Sequence, residues 1–193
     1  HRVRQDAGAR GGNRGVTVAA TVVRPLVPGD APALHAAVRA SLGSLSQWFA
    51  WAHPGYSPAD AESRIAHCVA ARERGEEHAF GIFDEDGGLL GCVGLNRIDV
   101  QQRCANLGYW VGEAQRGKGL ATRAAAHAAA FGFDELELAR IEIVALPDNV
   151  ASQRVAEKLG ALREGVFRNR IMLAGEARDA VVFSLVPGAT LPG

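Results

Sequence analysis

The chain has 193 residues, 48% of them hydrophobic and 22% charged, and its 21 basic and 21 acidic residues give no net charge. That length fits one globular domain with a substantial core. A neutral chain lacks the long-range field that draws proteins to nucleic acid or anionic membranes, and no apolar run approaches the roughly 20 residues of a membrane span. We therefore expect a soluble globular protein with neither nucleic-acid nor membrane partners.

The first fifteen residues differ from the rest of the chain. They combine glycines with arginines at positions 2, 4, 10 and 14, and they have almost no apolar periodicity. We expect residues 1–15 to be a disordered leader or a remnant of expression, with a basic arm for RNA as the alternative. Residues 16–193 then form a single domain.

The cysteines predict a reducing environment. Cys68, Cys92 and Cys104 form no CxxC pair, and each lies in an apolar or strand-like stretch. An odd set without that spacing argues against a disulfide framework or a zinc site. We expect three core thiols, no metal and a cytoplasmic location.

The first half of the domain predicts one strand and two helices. Residues 16–26, rich in Val and Thr, predict the strand. Apolar side chains recur after Asp30 at spacing four, which predicts a helix that ends near Ser41. Asp30 is the expected N-cap of that helix. Residues 44–56 predict a loop with several aromatic side chains. Ser57, followed by Pro and by an acid at the third helical position, predicts the start of the second helix.

The second half predicts six strands and two more helices. They are, in order, a hairpin of strands at 78–83 and 89–98, a strand at 105–111, a helix at 119–133, a strand at 140–145, a helix opened by Asn149 and ended by Gly160, and strands at 162–173 and 179–186. The order βααβββαβαββ combines hairpins with parallel crossovers. It therefore predicts an α/β layer fold with a mixed, partly antiparallel sheet.

A short glycine-containing loop joins the strand at 105–111 to the next helix. Gly117 and Gly119 lack the Cβ atoms that would hold an anion away from the backbone, and Arg116 and Lys118 add positive charge. The first amides of a helix have no intrahelical acceptor and lie at the positive end of its dipole. The pattern predicts a phosphate or pyrophosphate site, although an ordinary tight turn carries the same glycines. Neither the P-loop nor the dinucleotide fingerprint is present.

The same loop resembles a known family. Arg116-x-x-Gly119-x-Ala121 is similar to the R/Q-x-x-G-x-G/A motif of GNAT acetyltransferases. Residues 108–111, Gly-Tyr-Trp-Val, resemble the fourth strand of a subgroup that includes the ribosomal-protein N-terminal acetyltransferases. Residues 147–161 resemble that subgroup's N-x-x-S…K-L-G-F segment. The two motifs occur in the right order, and the resemblance extends over residues 18–186.

The resemblance implies the GNAT fold, a central mixed and mostly antiparallel sheet with helices on both faces, and acetyl-CoA as the cofactor. The loop amides would hold its pyrophosphate, the backbone of the strand before the loop would pair with the pantetheine arm, and the start of the later helix would contact the arm near its thiol. The expected cofactor contacts are Tyr109, Trp110, Val111, Arg116, Gly117, Lys118, Gly119, Leu120, Ala121, Thr122, Asn149 and Ser152.

Acyl transfer to an amine also needs a proton acceptor and a proton donor. We expect Glu142, an acid on an otherwise apolar strand, to be the base, with a solvated or salt-bridged strand carboxylate as the alternative. The chain departs from some family members because Asn106 stands near a position where they carry a carboxylate. Glu113 and His53 are further candidate bases. Ser152 is the expected acid for the departing thiolate, or a hydrogen-bonding residue there.

The identity of the acceptor is the least constrained expectation. Trp48 and Trp51, in the aromatic loop, are expected to wall the acceptor site, unless both are core residues. The acceptor is an amine, either a peptide N-terminus or a small molecule such as an antibiotic. A GNAT fold that senses acyl-CoA without turnover is the alternative function of a different class. The sequence is also compatible with a homodimer.

Overall fold

The computed structural model describes residues 21–188, so the expected leader and the first part of the strand predicted at 16–26 lie outside the described residues. Within this range the helices and strands follow the predicted order, with one short helix added at the start of the aromatic loop. They are β1 (Val22–Pro25), α1 (Ala31–Ala40), α2 (Leu42–Leu45), α3 (Pro58–Glu73), β2 (His78–Phe83), β3 (Leu89–Asp99), β4 (Cys104–Val111), α4 (Leu120–Asp134), β5 (Arg140–Ala145), α5 (Val150–Lys158), β6 (Leu162–Leu173) and β7 (Glu176–Leu185).

Two predicted helix caps have different outcomes. Ser57 caps α3 as predicted: its hydroxyl accepts from the Asp60 amide at 3.3 Å, and the Asp60 carboxylate accepts from the Ser57 amide at 2.8 Å. The prediction that Asp30 caps α1 is wrong for its side chain, which makes no cap hydrogen bond. The Asp30 carboxylate instead accepts two hydrogen bonds from Arg24, both 2.8 Å, and one from the Val27 amide at 2.9 Å. A bidentate guanidinium is the stronger partner.

The seven described strands form one sheet in the order β1-β2-β3-β4-β5-β7-β6. Neighbouring strands are antiparallel except β4 and β5, which are parallel and pair only at Cys104–Arg140, Ala105–Ile141 and Asn106–Glu142. Beyond the last pair the two strands separate. Residues 107–111 of β4 remain paired with β3 on the other side. The edge of β4 that faces β5 is therefore open at these residues.

Helices cover both faces of the sheet. Helices α4 and α5 pack on one face, against fully buried side chains that include Leu95, Leu107, Ile141, Ile143 and Phe183. Helices α1 and α3 cover the other face over β2 and β3. Alternation along β5 buries Ile141 and Ile143 and leaves Glu142 half-exposed on the opposite face. The period of two in side-chain direction along a strand produces this pattern.

A cluster of ion pairs joins β5, β6 and β7 on the α1/α3 face. Arg140 donates to both oxygens of Glu164, at 2.7 and 2.8 Å, and to Glu142 at 3.0 and 3.2 Å. Arg170 donates to the second oxygen of Glu142 at 3.2 Å, and the Ser184 hydroxyl donates to Glu164 at 2.6 Å. The hydrogen bonds from Arg140, followed by the one from Ser184, lower the pKa of Glu164 to about 2.

Replacing Glu164 should therefore change stability in a pH-dependent way. A glutamate has a pKa near 4.3 in an unfolded chain, so the lowered folded pKa stabilises the protein above that value and the effect is lost as pH falls toward about 2. Glu164→Gln should reduce the free energy of unfolding at pH 7 by about 1 kcal/mol, since solvent screens a pair this exposed. Urea unfolding between pH 7 and pH 2.5 measures the difference.

The exposed Glu176→Gln, on β7, provides the control and should unfold like the parent protein at each pH. A stability loss in Glu164→Gln that is equally large at pH 7 and pH 2.5 would show that side-chain shape matters there and charge does not.

Candidate active site

The gap between β4 and β5 is the centre of the candidate site. It begins after the Asn106–Glu142 pair and extends along the rest of β4 to Val111. The open edge of β4 presents backbone donors and acceptors that no strand among the described residues satisfies. Such an edge accepts an added extended chain through main-chain hydrogen bonds.

The loop that follows β4 is anchored to two other elements. The Gly112 amide donates to the carbonyl of Leu90 in β3 at 2.8 Å, and the Glu113 amide donates to the hydroxyl of Ser41 at 3.1 Å. Ser41 is buried where α1 ends. Sequence analysis assigned Ser41 no such role, because its partner lies 72 residues away. These contacts fix the loop before its glycines begin.

The loop ends in a row of free backbone donors. Gly117 and Gly119 have φ of +74° and +72°, a conformation that favours glycine. The six amides from 117 to 122 donate to no protein oxygen within the described range, and they meet the N-terminus of α4, a helix of 15 residues. Exposed Arg116 and Lys118 add positive charge beside them. The residues predicted to hold a pyrophosphate, from Arg116 to Thr122, thus lie together in a geometry that suits an anion.

Two hydroxyl groups meet between β4 and the start of α5. The Asn149 side chain caps α5 and accepts from the Ser152 amide at 3.1 Å. The Tyr109 hydroxyl donates to the Ser152 carbonyl at 2.8 Å, and the Ser152 hydroxyl donates to the Tyr109 oxygen at 3.3 Å. Burial raises the pKa of Tyr109 to about 12, so its hydroxyl stays protonated at neutral pH. Sequence analysis used only the Tyr109 backbone and missed this hydroxyl.

A cleft of about 980 Å³ opens on the α1/α3 face of the sheet. Its floor is formed by β3 and β4, and one face of α3 forms a wall that includes Asp60, Arg64 and His67. The aromatic loop contributes Trp51, whose ring lies 6.1 Å from that of Trp110 on the floor. The cleft therefore combines apolar rings with charged groups, as small-molecule and peptide sites do.

The charged groups of the wall are partly paired. Glu77 accepts from Arg64 and lies 3.3 Å from the His67 ring nitrogen. The backbone and side-chain hydrogen bonds from Ser57 lower the pKa of Asp60. They use one oxygen of its carboxylate, and the other has no hydrogen-bond partner among the described residues. An ionised carboxylate oxygen is thus available in the cleft.

The two tryptophans predicted to contact the acceptor are separated. Trp51 lines the cleft and is 41% exposed. Trp48 is half-buried and is not among the residues that line the cleft, and its amide donates to the Leu45 carbonyl at 3.0 Å in the turn after α2. Tyr56, the last residue of the aromatic loop expected to wall the acceptor site, also lines the cleft, and the side chain of Trp110 is a lining residue that sequence analysis did not assign to that site.

The candidate bases are also dispersed. His53 lines the cleft, whereas exposed Glu113 lies on the loop outside it. Asn106 donates to the side chain of Asn96 at 3.1 Å. Glu142 stands at the start of the gap on the cleft side of the sheet, with its oxygens bound by two arginines as described above. An ionised carboxylate has about four acceptor positions, and the arginines occupy three of them.

A split parallel pair, a row of free amides at a helix start and a cleft across the gap together define an acyl-CoA-dependent N-acyltransferase fold. The family model described as "Acetyltransferase (GNAT) domain" matches residues 21–162. The chain therefore belongs to the GNAT acetyltransferase family and is an enzyme of the N-acetyltransferase class. The resemblance based on the Arg116–Ala121 motif is confirmed.

Individual relatives agree with this assignment. YdaF of Bacillus subtilis (strain 168) is 31% identical over 167 residues, which cover 85% of this chain and 90% of that protein. The ribosomal-protein-serine acetyltransferase of Escherichia coli (strain K12) is 28% identical over 142 residues, 74% of this chain and 79% of that one. The solved structure of Mycobacterium smegmatis RimJ in complex with CoA-disulfide has a TM-score of 0.78 at 25% identity, covering 86% of this chain and 82% of that chain. Across residues 21–188, none of the helices has the length and apolar character to cross a membrane.

The loop geometry predicts the effect of one substitution on cofactor binding. Acetyl-CoA should stabilise the parent protein by about 2.7 kcal/mol at a hundredfold excess over its Kd, which a thermal shift detects. Gly119→Val should abolish that shift, because a branched side chain would stand at the free amides. The variant also carries the cost of a positive φ, about 1–2 kcal/mol.

Gly87→Val is the matched control, because Gly87 has φ of +82° and open space around it in the β2–β3 turn. It should lose similar intrinsic stability and keep the full acetyl-CoA shift. If Gly119→Val folds and binds acetyl-CoA like the parent protein, the loop is not the pyrophosphate site.

Proposed function

We propose that the protein transfers an acetyl group from acetyl-CoA to the N-terminal α-amine of a protein or peptide acceptor. The main observation that supports this function is the gap between β4 and β5, which connects the row of free loop amides to the cleft. The similarity to a ribosomal-protein-serine acetyltransferase supports the acceptor class. Three free cysteines are compatible with a reducing compartment such as the cytoplasm.

The proposed cofactor position follows the unsatisfied backbone groups. The amides from 117 to 122 bind the pyrophosphate, and the open edge of residues 109–111 pairs with the pantetheine arm. Asn149 and Ser152, at the start of α5, then lie beside the thiol end. Acetyl-CoA supplies an activated thioester at that point, where the cleft meets the gap.

Proton transfer in the proposed reaction uses groups on both sides of the gap. The acceptor nitrogen forms the new C–N bond as the C–S bond breaks, so one proton leaves the nitrogen and one reaches the sulfur. The Ser152 hydroxyl, which lies 3.3 Å from the Tyr109 oxygen, turns its proton from that oxygen to the sulfur and takes a replacement proton from water. Glu142 receives the proton from nitrogen through one water at its remaining acceptor position.

The chemistry of the cleft favours an α-amine over a lysine side chain. An α-amine has a pKa of about 7.7–8.0 and is partly neutral at physiological pH, whereas a lysine near 10.4 needs a stronger base. Glu142 is held by Arg140 and Arg170, so it is placed to collect a proton through water. The free oxygen of Asp60 is available for an amide or ammonium group of the acceptor.

Glu142→Gln tests the proposed base. Turnover at pH 7 should fall by about 10²–10⁴-fold, the range for general acid–base catalysis, while acetyl-CoA affinity stays the same. The residual rate should rise with pH as more of the amine loses its proton unaided. Arg170→Gln is the companion variant, since it removes one partner of Glu142 and keeps the carboxylate. Equal losses in both variants, with no change in the pH profile, would assign Glu142 a structural role only.

An acceptor panel tests the proposed function itself. It pairs peptides with a free N-terminus and no lysine against N-terminally blocked peptides that carry one internal lysine, alongside polyamines and amino sugars. Thiol release and mass spectrometry measure acetyl transfer, and we expect the transfer to be confined to the free α-amine. A preference for polyamines would instead identify a small-molecule acetyltransferase. Tight acetyl-CoA binding without transfer to any amine would support the sensor alternative.

A further inference from the structure

Three neighbouring cross-strand pairs of β3 and β4 lie at the cleft floor: Cys92–Trp110, Gly94–Gly108 and Asn96–Asn106. The glycine pair lies between the other two, and both glycines line the cleft. The backbone of the sheet is therefore exposed to the cleft at this point, with an aromatic ring on one side and amide side chains on the other.

Crowding accounts for the two glycines of β3 but not for Gly108 of β4. A Cβ atom on Gly91 would lie 2.3 Å from the Trp110 carbonyl oxygen, and one on Gly94 would lie 2.9 Å from the His78 carbonyl oxygen. A Cβ atom on Gly108 would meet only the Asn96 side-chain nitrogen, at an ordinary 3.7 Å. The φ angle of Gly108 is also not positive. Neither packing nor backbone conformation within the described residues demands a glycine there.

The position of Gly108 supplies a different reason. A glycine inside a strand weakens it and often marks the close approach of a ligand. Gly108 is the first residue of β4 on the cleft face after the last pair with β5. It is also adjacent to Tyr109, whose hydroxyl meets Ser152. An acceptor that moves from the cleft to the gap therefore passes over Gly108.

We propose, on the basis of the function proposed above, that Gly108 determines acceptor specificity. The empty space above it is the slot through which the acceptor amine and its first residue reach the thioester. The slot takes an extended segment that lies flat on the sheet between Trp110 and Asn96. A side chain at position 108 would occupy that space, and the bulk of the acceptor's first residue would then decide whether transfer still occurs.

Gly108→Ala and Gly108→Leu test the slot with peptides that begin with Gly, Ser or Leu. Both variants should fold, keep the thermal midpoint within a few degrees of the parent and bind acetyl-CoA within about twofold. Transfer should fall about tenfold for Gly108→Ala and more than about a hundredfold for Gly108→Leu, the scale of steric discrimination in a pocket. Peptides that begin with Gly should lose least. Gly43→Leu is the control, because a side chain there meets nothing within 4 Å.

Peptide binding to the CoA-saturated protein, measured by calorimetry, separates this proposal from the proposed function. Equal kcat/KM for parent and Gly108→Leu on every peptide would overturn the slot. A loss of acetyl-CoA binding in Gly108→Leu would also overturn it and assign the space to the cofactor. Another outcome is that the parent protein binds the peptides without acetylating them, while Gly108→Leu binds none of them. In that case the slot stands and the transfer function fails. If the parent neither binds nor acetylates any peptide, both proposals fail.

Discussion

The early end of the parallel pairing between β4 and β5 is the constraint on which the rest of the site depends. Both strands are held firmly on their outer sides, β4 by β3 and β5 by β7. The separation therefore leaves open backbone edges without loosening the sheet. A partner must supply the missing hydrogen bonds, since unpaired backbone groups away from water are costly. The gap is accordingly bounded by strands that are already paired on their outer sides, which reduces the ordering needed on binding.

The same principle of unsatisfied backbone groups applies to the loop that we propose holds the pyrophosphate of acetyl-CoA in a protein with no net charge. The chain has no net charge, and three basic side chains stand at the loop: Arg116, Lys118 and Arg123, whose guanidinium donates to the Lys118 carbonyl at 3.3 Å. Affinity for a pyrophosphate in such a site comes from short-range amide donors and the helix dipole, and not from the field of the whole molecule. Ser41 contributes by holding the Glu113 amide, because that contact orients the loop before its donors begin.

Local patterns predicted the fold well, and contacts between distant residues account for what was missed. The Ser57 cap involves residues three positions apart, so the sequence states it directly. Asp30 satisfies the same local rule, yet Arg24 from the preceding strand captures its carboxylate. The contact between Tyr109 and Ser152 spans 43 residues and depends on how α5 packs against β4. No periodicity or motif carries that information.

The glycines show why site residues were only partly predictable. Gly119 could be assigned from the sequence, because it stands in a short glycine-containing loop before a helix and in the motif that resembles the GNAT family, and the structure has φ of +72° there. Gly108 looked like an ordinary residue of a strand motif. Its significance depends on what surrounds it in three dimensions, namely a floor where a side chain would fit and none is present. The sequence shows where a glycine stands. Only the packing around that position distinguishes a glycine that crowding or backbone conformation requires from one that leaves room for a ligand.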